Sequence, residues 1–186
     1  MPGDVLNIDG RIACGDELPV GVRELEAWPA EARLERINTS NEVLLRALVA
    51  MDALPATHGD DHERHGEDFQ RLEARVGLLL NLVARLVEAQ QALPDALPVV
   101  YNSRGMQLQL PVSIEAGSQV AVDLYLSGLY PTPLQLFGVV DACEPDASAW
   151  RVSLFFHGMT TAMRSELDKL VFRRHRRQVA RQREKH

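Results

Sequence analysis

The stretch MQLQLPVSIEAGSQVAVDLYL, Met106–Leu126, decides the fold. Met106, Leu108 and Leu110 recur at every second position, and Val120, Val122, Leu124 and Leu126 do the same after the EAGSQ turn at 115–119. A period of two puts one set of side chains on one face of a strand. Downstream, PLQLFGVVDAC (133–143) and WRVSLFF (150–156) continue the strand pattern, with turns at SGLYPTP (127–133) and EPDASA (144–149). Upstream, VVYNSRG at Val99–Gly105 reads as a strand end followed by a tight polar turn with a glycine. Evenly spaced short strands joined by turns indicate an antiparallel sheet that closes into a small barrel.

Further from this core the period changes. Residues 4–22, DVLNIDGRIACGDELPVGV, alternate weakly around Asp-Gly and Cys-Gly-Asp turn signals and predict one or two short strands. A short helix is expected after Pro29, in PAEARLERI, because proline suits a first helical turn. A second helix is expected in NTSNEVLLRALVAMDAL, where Thr39 and Glu42 have capping-box spacing and Val43, Leu44, Ala47, Leu48 and Met51 form an apolar face. His58, His62 and His65 among acidic residues invite a metal reading, but acidic caps at a helix start with solvated histidines explain them more simply, and no metal is expected.

The strongest periodicity lies in FQRLEARVGLLLNLVARLVEAQQAL. Phe69, Val76 and Val83 share one heptad position, and Leu72, Leu79, Leu86 and Leu93 share the other. Such a repeat presents a seam to partner helices. Leu78, Leu80, Leu82 and Val87 widen the stripe, so that one face can also meet the chain's own core. Valine at one seam position with leucine at the other favours two strands, and the wider stripe favours more; self-association is expected in either case. The chain ends in a helix from about Thr161, with Met163, Leu167, Leu170 and Val171 on its apolar side.

The predicted organisation follows: strands in 1–24 that contribute to the barrel, a helical insertion over 25–98 with its oligomerising helix at about 61–93, the rest of the barrel over 99–160, and a basic helix over 161–186. The fold class is α+β. A chain of 186 residues is long enough for one domain with an appendage. It has no apolar run long enough to span a membrane. The start, MPGDVLNIDG, is acidic and lacks the apolar centre of a secretory signal. Cys14 and Cys143 have no ligand-like spacing, which fits free thiols in a reducing cytoplasm.

The net charge of −6 hides an asymmetry. From Arg164 onward there are nine basic and three acidic residues, against eleven and twenty-three in the remainder. An acidic body with a basic tail argues against a partner that is a nucleic-acid polymer. No phosphate-binding glycine loop, nucleophile elbow or HExxH is present, and His157 in FFHGM has no partner visible in the sequence, so an enzyme is not expected.

From Val99 to Arg177 the chain resembles the PilZ domain, a bacterial receptor module for cyclic di-GMP. The resemblance rests on the Ser/Gly turn followed by MQLQLPVSIEAGSQVAVDLYL, then FGVVDA, RVSLFFHGM and the closing SELDKLVFRRHRRQ. The long heptad helix before Val99 is similar to the atypical, tetramer-forming branch. By resemblance, the ligand is held by an RxxxR segment ahead of the first barrel strand and by (D/N)xSxxG. The first is missing, since only MPGD precedes the N-terminal strand. Arg71 with Arg75, and Arg173 with Arg177, have the spacing but lie elsewhere. The second is compressed. With Ser103 as the serine, Tyr101 and Met106 occupy the acidic and glycine places; with Gly105 as the anchor, Asn102 and Val100 occupy the serine and acidic places.

Asn102, Ser103, Arg104 and Gly105 therefore stand as a degenerate nucleotide site, and Arg173, Arg174, Arg176 and Arg177 as candidate anion ligands. No cofactor is expected, nor cyclic di-GMP in the usual mode. The resemblance implies a non-catalytic signalling protein linked to cyclic di-GMP regulation of motility, biofilm or virulence. It would form a homo-oligomer, tetramer favoured, and act through a protein partner. The alternatives are a true receptor with a rearranged arginine site, using Arg104 and the terminal arginines, and a structural oligomerisation scaffold.

Overall fold

The computed structural model describes residues 7–8, 10–51, 75–76, 93–128 and 132–184. The chain opens with a small hairpin, β1 (Asn7–Ile8) and β2 (Arg11–Ile12), turned at Gly10 with φ of 70°. Six strands then form a closed antiparallel barrel: β3 (Cys14–Glu24), β4 (Ala96–Tyr101), β5 (Gly105–Leu110), β6 (Gln119–Leu124), β7 (Leu134–Asp146) and β8 (Ala149–His157). Their order around the barrel is β3-β4-β5-β8-β7-β6. Two described helices accompany it, α1 (Glu31–Met51) and α2 (Thr161–Glu184). The fold is α+β.

Strand β3 closes the ring by serving two partners. Its first half pairs with β4, from Cys14↔Tyr101 to Pro19↔Ala96, and its second half pairs with β6, from Val20↔Leu124 to Glu24↔Val120. Pro19 stands at the changeover, where it has no N–H to give to a ladder and its carbonyl accepts from the Tyr125 amide at 3.1 Å. The period-two residues of the opening stretch form the lining. Met106, Leu108, Leu110, Val120, Val122 and Leu124 are all buried, together with Leu134, Leu136, Val152 and Leu154. Strands β5 and β6 are not neighbours in the barrel, so the EAGSQ turn belongs to a crossover between them rather than closing a hairpin. Gly117, with φ of 90°, and Ser118 bond instead to Val140, beside the bulge in β7 between Val140 and Ala142.

The two helices expected before residue 52 are one. Nothing in Glu31–Met51 breaks the helix, as it holds neither glycine nor proline. Thr39 is not a cap: its hydroxyl donates to the Glu35 carbonyl one turn back at 2.9 Å, and Glu42 accepts from Thr160 at 2.6 Å. Asparagines fix the helix to the barrel. Asn41 donates to the Gln135 carbonyl at 2.6 Å and accepts from the Gln135 amide at 3.1 Å, and Asn38 donates to the Gly158 carbonyl at 2.8 Å.

On α2, Met163, Leu167, Leu170 and Val171 are buried, spaced along one helical face. Thr160 caps that helix through the Met163 amide at 3.0 Å. No described helix is long and apolar enough to cross a membrane.

Candidate functional site

Strands β4 and β5 form a hairpin whose last pair is Tyr101↔Met106, and Asn102–Gly105 make the turn. The Asn102 amide donates to the Gly105 carbonyl at 3.1 Å. The Asn102 side chain closes the turn on itself: Oδ1 accepts from the Arg104 amide at 2.7 Å and the Gly105 amide at 3.2 Å. This is the local bonding for which asparagine is favoured in turns. Its Nδ2 donates to the Ile8 carbonyl in the N-terminal hairpin at 3.0 Å. Asn102 is 1 % exposed and Ser103 2 %. Gly105 is required by close approach, because a Cβ there would lie 2.2 Å from the Leu154 carbonyl oxygen across β8. The Arg104 carbonyl accepts from the Phe156 amide at 2.8 Å.

Arginines gather at this turn from distant parts of the chain. Arg164, in the first turns of α2, donates through Nη1 to the Ser103 carbonyl at 2.7 Å. Burial lowers its pKa, the positive charges of Arg104 and Arg11 lower it further, and Asp168 opposes them. Phe155, opposite Gly105 in the β5–β8 register, is 42 % exposed. Neither Arg11 nor Arg164 carries a local sequence signal, since each reaches the turn only through the closed fold.

The C-terminal arginines divide among three surroundings. Arg173 donates to the Val49 carbonyl on α1. Arg174 turns to the barrel and donates to the Tyr101 hydroxyl at 3.1 Å and the Leu126 carbonyl at 2.6 Å. Arg176 lies over the exposed Phe172 ring, 5.9 Å from its centroid. Arg177 lines a cleft of about 260 Å³ with Arg174, Arg181, Gln178, Asp16 and Leu126. Tyr101 is wholly buried; burial raises its pKa well above the usual phenol range, with Arg174 opposing.

Against known proteins, residues 45–184 match the atypical PilZ domain, described as a cyclic di-GMP receptor. The chain belongs to the atypical PilZ domain family. It is also similar to the crystal structure of a pathogenic protein from Xanthomonas campestris, described as a new tetrameric PilZ domain self-assembled via an unusual helical bundle. The two share 29% sequence identity over 90% of each chain, with a TM-score of 0.71. No curated protein matches.

In this PilZ barrel the RxxxR spacing at Arg173 and Arg177 does not converge: the first arginine holds α1 and the second faces the cleft. Of the heptad residues, Phe69, Leu72, Leu79, Val83 and Leu86 lie outside the described residues, as do His58, His62, His65 and Arg71. Arg75 and Val76 are helical and exposed, Val76 at 46 %. Leu93 is half-buried in the non-helical lead-in to β4. Among the described residues no group of three or more His, Cys, Asp or Glu is placed to hold a metal ion. His157, at the end of β8, stacks on Trp28 with ring centroids 4.3 Å apart. That contact gives it a packing partner.

Proposed function

We propose that this chain is a non-catalytic PilZ-type signalling protein in cyclic di-GMP-linked regulation of motility, biofilm or virulence, acting by protein contacts. It self-assembles through the helical segment at about 61–93, as a tetramer like its Xanthomonas relative, and works in the cytoplasm. The reading rests on one observation above all: the Asn102 side chain is spent on its own backbone and on Ile8. Relatives use the equivalent polar groups on guanine edges, but here they are sequestered. The heptad spacing of Phe69, Val76 and Val83 with Leu72, Leu79 and Leu86 supports the assembly, because such a repeat presents a seam to partner helices.

Calorimetric titration of the full chain with cyclic di-GMP tests the proposal. The expected result is no saturable heat at micromolar ligand. Micromolar or tighter binding contradicts it.

Arg164 bonded to the Ser103 carbonyl within the field of Arg104 and Arg11, with the exposed Phe155 opposite Gly105, favours a second reading, a receptor with a rearranged site. Guanidinium forks suit phosphates and an aromatic ring suits a base. Under that reading, Arg11→Gln and Arg164→Gln abolish binding of cyclic di-GMP.

A further inference from the structure

We infer that the cleft between α2 and β3, lined by Arg174, Arg177, Arg181, Gln178, Asp16 and Leu126, binds a phosphate dianion, as the free ion or as the head of a small monoester. Positions 174, 177, 178 and 181 share one face of the helix by their spacing. Among the described lining residues, that face brings three guanidiniums to one carboxylate. Like charges one turn apart destabilise a helix, and a dianion among them removes the repulsion. Planar guanidinium forks match phosphate oxygens in geometry as well as charge.

The cleft is built before any ligand arrives. Arg174 is anchored by the buried Tyr101 hydroxyl at 3.1 Å and the Leu126 carbonyl at 2.6 Å. Gln178 donates to the Gly15 carbonyl on β3, which holds the opposite wall. Preorganised donors spare the ordering cost of binding. A cleft of about 260 Å³ admits a phosphate with a small substituent but is too small for a dinucleotide. It shares no lining residue with the Asn102–Gly105 turn or with Arg11 and Arg164.

The experiment is thermal unfolding of the full chain in sodium phosphate against sodium chloride at matched ionic strength, with glycerol phosphate as the ester. Phosphate is expected to raise the midpoint where chloride does not. The effect should vanish in the Arg177→Gln, Arg181→Gln double variant and persist in Arg176→Gln, whose side chain faces Phe172. By calorimetry Arg177→Gln and Arg181→Gln, each taken singly, weaken phosphate binding roughly tenfold or more, as expected for one charge-assisted hydrogen bond. Asp16→Asn tightens it by removing the negative group among the described lining residues.

An equal response to phosphate and chloride overturns the inference, as does an undiminished response in a folded double variant. Should that variant unfold, failure of Asp16→Asn to tighten binding overturns it instead. Tighter binding of the ester assigns the site to an esterified ligand, and the reverse order assigns it to the free ion.

Discussion

Asn102 makes three side-chain hydrogen bonds, two that close its own turn and one that reaches Ile8 at the other end of the chain. Replacing it with alanine leaves the Arg104 and Gly105 amides and the Ile8 carbonyl without that partner. Asn102→Ala is expected to cost about 1–3 kcal/mol, the penalty for stranding buried polar groups, measured by chemical denaturation. That Asn-Ser-Arg-Gly forms a turn was legible from residue types alone. The closure onto Ile8 was not, because its acceptor is a main-chain carbonyl in a hairpin that carries only a weak strand signal.

Cys14 offers a second check. It is fully buried, and burial raises its thiol pKa, with Arg174 opposing. A raised pKa means less thiolate at any pH below it, and the thiolate is the reactive form. In native protein at pH 8, the half-buried Cys143 should react with a thiol reagent while Cys14 reacts only on unfolding. Two thiols reacting at equal rates under native conditions would contradict the burial.

At the scale of elements, the barrel strands from Met106 to Phe156 were legible because inward side chains recur at every second position over most of their length, with the alternation interrupted at the β7 bulge. Strand β3 was less so. CGDELPVGVRE contains Gly15, Pro19 and Gly21, and residues 4–22 alternate so weakly that they predict only one or two short strands, whereas Cys14–Glu24 is a single long strand that changes partner at Pro19. The capping-box spacing at Thr39 and Glu42 misled for a related reason. Local spacing cannot reveal that Glu42 accepts from Thr160, or that the helix starts earlier and runs through.

Asn41, 2 % exposed, helps dock α1 by satisfying both main-chain groups of Gln135. Asn41→Ala is expected to cost about 1–3 kcal/mol in denaturant unfolding, as both Gln135 groups lose their partner. An unchanged midpoint would remove this asparagine from the docking of α1.

For the whole molecule, much of the basic tail acts as a clamp. Arg164, Arg173 and Arg174 each donate to a carbonyl, of Ser103, Val49 and Leu126 respectively, and so tie α2 to the turn, to α1 and to the segment after β6. The charge asymmetry was visible in the sequence, but its use in holding the helix was not, since a count of charges carries no direction. The proposed assembly is a separate matter and is assigned to the heptad segment. Val76→Asp with Val83→Asp is expected to reduce the mass by light scattering to that of a smaller species, because a buried unpaired charge costs far more than the exposed valine gains. A mass equal to the parent's would end the heptad argument.

The central claim is that the Asn102–Gly105 turn is closed on itself. Residue-resolved hydrogen exchange of the Arg104 and Gly105 amides, with and without cyclic di-GMP, tests it most directly. The account predicts slow exchange at both amides in the free protein, unchanged when ligand is added. Rapid exchange in the free protein, or protection that appears only with cyclic di-GMP, would contradict it.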